Sequence, residues 1–186
     1  MRFAAAIGIL AALAAAPARA EGELEAGLAG ALRACEAWVL DPASQALSPA
    51  AFAAAAGLAG SMHKVERADE AQLPPPPYRA GLHYWRIDST PTAGYMLIVS
   101  DRLPVCHITG GGDADLQPAV AAVLASDDFA ARWTAGKSTT TADMVQTPYQ
   151  NRKEAAFSIV VSRAAKPGGP RDRVQAIATA QMRVSD

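Results

Sequence analysis

The chain has 186 residues, a net charge of -1, 51% hydrophobic residues and two cysteines. That length suits one domain able to bury its own core. The near balance of charge argues against nucleic acid as a general partner, which requires a basic face, and no apolar run after position 20 is long enough to span a bilayer.

Residues 1–20 read as an address. Arg2 gives a positive start, Phe3 to Ala15 is apolar and uncharged, Pro17 breaks the run, and Ala18-Arg19-Ala20 offers the small residues of a cleavage site. The run is too short and too alanine-rich for a membrane anchor. The expectation is therefore a secretory signal cleaved after Ala20, leaving residues 21–186 as a single exported domain, periplasmic or secreted. Cleavage removes Arg2 and Arg19 and no acid, so 15 basic residues face 18 acidic ones and the net charge becomes -3.

The first predicted helix runs from about Glu23 to Leu40. Leu24, Leu28, Ala31, Leu32, Cys35, Trp38 and Val39 share one face at helical spacing. Cys35 thus points into the core. Cys106 lies in an apolar strand pattern, Pro104 to Ile108. An even cysteine count in an exported chain predicts a Cys35–Cys106 disulfide. A second helix is expected after Ser48, an N-cap followed by Pro49, with Leu47 stapling onto Phe52 and glycines at 57 and 60 ending it. Met62 to Arg67 reads as a short edge strand. The prolines at 74–77 read as a rigid connector within the domain.

Leu82 to Asp88 alternates, with His83, Trp85 and Ile87 on one face and Tyr84 and Arg86 on the other. Tyr95 to Val99 is continuously apolar, which predicts a strand covered on both faces. With the Cys106 strand these form an antiparallel meander. Gly110-Gly111-Gly112 leads to a helix capped by Asp113 or Asp115. Ser126 caps a short continuation containing Phe129 and Trp133. Three more strands follow: a threonine-rich stretch within 137–146, Ala156 to Ser162, and the alternating Arg173 to Val184, with a turn at 166–170. The predicted class is α+β, a single antiparallel sheet of five to seven strands with N-terminal helices and one central helix packed against it.

No motif names a reaction. The glycines at 110–112 precede acids where a phosphate would sit. Residues 135–139 echo a Walker A ending, but Ala131 replaces its first glycine. His63, His83 and His107 lack zinc-ligand spacing, so neither metal nor cofactor is expected. Arginines, aromatic rings and imidazoles are concentrated between residues 83 and 107. The candidate ligand-binding residues are accordingly Arg86, Tyr95, Arg102 and His107. Alternation separates His83 from Arg86 and predicts exposed Arg86 and Arg102 with a buried His83. The functional expectation is a non-enzymatic binding or accessory module for a small ligand or protein partner. The alternative is a small hydrolase.

Overall fold

The computed structural model describes residues 15–41, 43, 47–141, 143–166, 168–169, 171 and 173–182. Residues 1–14 of the predicted signal lie outside them. Helix α1 (Ala15–Leu40) begins eight residues before the expected start and passes Pro17 and the expected cleavage point. Docking onto the sheet starts at Leu24, and every residue of the predicted apolar face is buried. Arg19, by contrast, is 83% exposed and pairs with Glu23 one turn on. At Gly27 α1 packs tightly against the sheet. A Cβ there would collide with Ser89 Oγ and press on the Tyr95 ring.

Helix α2 (Pro49–Ala55) has the expected cap, with Ser48 Oγ accepting from the Ala51 N–H. The expected staple is absent: Leu47 is exposed, whereas Phe52 is buried against Trp38 and Trp85 at ring distances of 5.4 and 5.0 Å. The aromatic partners available in the core outcompete a local contact.

Strands β1 (Met62–Val65), β2 (Leu82–Asp88), β3 (Ala93–Ser100) and β4 (Val105–Gly112) form the first meander. Helices α3 (Gln117–Ala125) and α4 (Asp127–Arg132) carry the chain to the far edge. There β5 (Trp133–Ala135), β6 (Thr139–Thr140), β7 (Met144–Asn151), β8 (Phe157–Ala164) and β9 (Ala176–Met182) form the second. All pairings are antiparallel. The order is β1-β2-β3-β4-β9-β8-β7-β5, with β6 also on β7, so the two meanders join where β4 pairs with β9. The α+β class with one antiparallel sheet stands. The sheet has nine strands among the described residues rather than five to seven, and four helices rather than the predicted set.

Three local differences have plain causes. The 137–146 stretch is not one strand. It divides into β6 and the start of β7, which then continues through Pro148 to Asn151. Pro148 lies in the gap between the short edge strands β5 and β6, where its missing N–H costs no ladder bond, and its carbonyl still accepts from Gly136. Trp133 opens β5 instead of extending α4. The expected helix cap at Asp113 or Asp115 is displaced: Leu116 holds the N-cap position of α3, and Asp115 accepts from the Gln117 N–H at 3.0 Å.

The inner face of the sheet packs under α1, α3 and α4. Leu97 and Val99 of β3, Ile108 of β4, Ala178 of β9 and Ile159 of β8 meet the α1 stripe in one core. The Cys35–Cys106 disulfide links α1 to β4, with Cα atoms 5.7 Å apart and both residues buried. It closes a loop of 71 residues in sequence, and chain-entropy reasoning gives about 4 kcal/mol for that closure. Next to the disulfide, Glu36 of α1 accepts from Arg132 of α4 and from Asn151 of β7.

The outer face differs between the meanders. On β3 and β4, Met96, Ile98, Val105, His107 and Thr109 point away from the helices and are still buried. The 66–81 segment crosses this face as a strap. Two 3-10 turns, Glu70–Gln72 and Pro76–Tyr78, shape it, Pro74 is buried, and Tyr78 Oη donates to Gln181 Oε1 on β9 at 2.8 Å. Ser100 Oγ then holds the Ala80 carbonyl at 2.6 Å as the chain enters β2. The proline run is thus a connector, and also a cover.

Candidate functional site

The sequence candidates occupy three different places. Arg86 stands on the outer face of β2, 61% exposed in its side chain, with Nε donating to Asp88 Oδ1 at 2.8 Å. Arg102 is exposed in the turn between β3 and β4. That turn is at the opposite end of the strands from Arg86, because Leu82 pairs with Ser100 while Arg86 pairs with Met96. Tyr95 is on the inner face, 3% exposed beneath α1. Its hydroxyl has no hydrogen-bond partner among the described residues, and burial, then the Glu25 charge, pushes its pKa well up. His107 is on the outer face but 4% exposed, with Nδ1 2.8 Å from Thr179 Oγ1. Burial pushes its pKa down to about 4. The four do not share one surface.

The parity argument places His83 and Arg86 correctly on opposite faces, and Arg86 and Arg102 are the exposed cations expected. His83 is not buried as expected, however. It sits half-buried at the rim of the inner face, with Nε2 3.0 Å from Asp101 Oδ2 and its ring 6.0 Å from Trp38. Position at a strand end, beside an acidic turn, outweighs the alternation.

The residues that do converge form a groove on the outer face, ≈ 390 Å³ in volume. Its floor is the end of the β3–β4 pair, where Gly94 pairs with Gly111 and leaves the outer surface without side chains. The sequence reading put the glycine run between strand and helix, yet all three glycines belong to β4. One wall is the first turn of the strap, with Asp69 and Gln72. The opposite wall is the segment around Arg171 and Arg173. Glycine is demanded at position 94, where a Cβ would strike the Ile87 carbonyl; at Gly111 a Cβ would lie 3.3 Å from the Arg173 carbonyl, a tight contact. Arg86 and Asp88 close the β2 side. Arg171 is steadied by an Nη1 bond to the Asp113 carbonyl at 3.1 Å.

Compared with family models, curated proteins and solved structures, the chain matches none.

Sequence reasoning found Arg86 but missed Asp69, Arg171 and Arg173. The usable signal was the glycines at 94 and 111, which in strand interiors mark close approach of another backbone. Two histidine–carboxylate approaches occur among the described residues. His63 Nδ1 is 3.6 Å from Asp88 Oδ2, beyond hydrogen-bond range, and His83 meets Asp101 as above. The serine nearest in sequence to Asp101 is Ser100, whose Oγ donates to the Ala80 carbonyl and accepts from the Arg102 and Leu103 N–H groups. Its hydroxyl is engaged in holding a turn. No group of three or more metal-ligating side chains occurs among the described residues, and no described helix is long and apolar enough to cross a membrane.

Proposed function

We propose that the chain is an exported binding or accessory module, without catalytic activity of its own, that takes a small ligand in the outer-face groove. The groove is the observation that carries the reading. Its volume falls within the usual range for small-molecule sites. Its floor is a pair of fully hydrogen-bonded strands, which hold a site more rigidly than loops do. Export rests on the Arg2-to-Ala20 pattern and is supported by the buried Cys35–Cys106 bond, since disulfides persist in oxidising compartments. A hydrolase would start from His83 and Asp101, but the Ser100 hydroxyl is spent on backbone partners, so binding is the better-supported reading.

Methyl-labelled protein with its disulfide intact, titrated with a small-molecule extract of the exported compartment, tests the binding reading. The Met96 methyl on the groove floor is expected to shift while Met144 on β7 stays still. No shift at Met96 with any fraction would contradict it. N-terminal sequencing of exported protein is expected to begin at Glu21, and an intact Met1 would remove the export half.

A further inference from the structure

We infer that the strap is an acid-released lid: a proton on His107, beneath residues 66–81, lifts that segment from the outer face of the first meander. The opening does not require the groove to be occupied. Its consequence for a ligand rests on the binding reading, because Asp69 and Gln72 of the strap form one wall of the groove and leave with it. The strap is lightly tied. It contributes no strand to the sheet. Its two 3-10 turns close on themselves, Gln72 N–H on the Asp69 carbonyl and Tyr78 N–H on the Pro75 carbonyl. Arg79 turns back onto the strap's own Pro74 carbonyl and Glu70. Among the described residues, its side-chain hydrogen bonds to the sheet are Tyr78 to Gln181 and Ser100 to the Ala80 carbonyl. Pro74 is its one buried residue. A segment with so few buried contacts opens at a low local free energy.

His107 sits where the closed strap leaves no answer to a positive charge. Its ring is 4% exposed, and among the described residues its hydrogen-bond partner is Thr179 Oγ1 and no carboxylate pairs with it. Directly opposite it are Ile98 on β3 and Thr179 on β9, and Val105 and Thr109 flank it on β4. None of these titrates. The charged residues of the strap, Glu66, Arg67, Asp69, Glu70 and Arg79, are all exposed, and Arg79 is paired with Glu70 at 2.8 Å. Tyr78 is engaged by Gln181, and the helices pack on the other face of the sheet. An imidazolium here would be a buried charge without a counter-ion, which lifting the strap relieves by admitting water. Burial holds the closed-state pKa at about 4 against the usual 6.5, and opening restores the usual value. The proton therefore favours the open form as pH falls from 6.5 towards 4, raising the open fraction by about a hundredfold between pH 7.5 and 4.

Oxidation by hydrogen peroxide at two reporter positions tests the lid in the full, disulfide-intact chain. Ile98→Met places a thioether opposite His107 on the outer face, and Leu97→Met places one on the inner face. Both swaps roughly conserve volume, and an unchanged thermal midpoint confirms that each variant folds. A thioether carries no titrating proton, so its oxidation rate reports access. The Ile98→Met sulfur is expected to oxidise about a hundredfold faster at pH 4 than at pH 7.5, and the Leu97→Met sulfur under about threefold faster. Adding His107→Gln to Ile98→Met is expected to remove the acceleration. Native Met96 on the outer face and Met62 on the inner face, each 6% exposed, should diverge in the same direction without any substitution. Equal acceleration on both faces would mean global unfolding and overturn the lid. So would an outer face that acid does not open, or an acceleration that survives His107→Gln. None of these results touches the binding reading, which stands or falls on the Met96 titration at neutral pH.

Discussion

The two meanders each contribute three strands of seven or eight residues, lie in one sheet and share one inner core, yet they treat their outer faces differently. In the first, Met96, Ile98 and His107 are buried beneath the strap. In the second, the equivalent face carries Gln146, Pro148 and Val160, all exposed, beside half-buried Thr179 and Gln181. The second follows the ordinary rule for an antiparallel sheet with one wet side. The first departs from it because a 16-residue segment, 66–81, folds back over it. The lesson concerns function as much as stability. Where the strap stops short, at Asp69 to Gln72, the covered face becomes a groove, and the groove is where charged side chains from distant segments meet.

The largest expected effect comes from the bond that pins the first meander to α1. A Cys35→Ala, Cys106→Ala double variant should lose about 4 kcal/mol of unfolding free energy by denaturant titration. A loss below about 1 kcal/mol would mean that packing alone fixes α1 on β4. Next, Ile98→Ala should cost about 3.5 kcal/mol, as for a fully buried aliphatic side chain. Val160→Ala, on the open face, should cost under about 0.5 kcal/mol. Equal costs would erase the difference between the meanders.

Acid should act selectively on the covered face. His107 has a folded-state pKa of about 4 against 6.5 when unfolded, so the folded state resists the proton that the unfolded chain accepts. Stability is therefore fully present above pH 6.5 and is lost as pH falls towards 4, by about 3 kcal/mol across the window. His107→Gln should flatten that part of the profile, read from thermal midpoints between pH 7 and 4. An unchanged slope would place the titrating group elsewhere. The smallest effect is expected at the strap's far anchor: Tyr78→Phe removes the bond to Gln181 and should cost about 1 kcal/mol.

How much of this was legible in the sequence depended on the range of the interaction. The α1 stripe from Leu24 to Val39 was readable because helical periodicity is local. So was double-sided burial of β3, since Tyr95 to Val99 has no polar break. The start of α1 was misread because Pro17 and the small residues after it were taken to end the leader, whereas the helix is continuous from Ala15 to Leu40. β7 was cut short because the threonine-rich stretch 137–146 was taken as one strand, whereas β7 starts within it and continues through Pro148 to Asn151. The strap's role depended on Tyr78 reaching a residue 103 positions away, which no local pattern reports. The site fared similarly. Alternation exposed Arg86 correctly, but the groove joins residues near 70, 90, 110 and 172 through tertiary packing. Chemical richness along residues 83–107 grouped Tyr95 and His107 with Arg86, although the pleat and the strap remove both from solvent.

Solvent exposure of side-chain methyls tests the central claim, that the strap buries the outer face of the first meander, most directly. With a soluble paramagnetic agent added to methyl-labelled protein, the account predicts that Ile98 is as protected as Leu97 of the inner core while Val160 broadens strongly. Ile98 broadening alongside Val160 would contradict it, because the strap would then not cover the sheet that it crosses.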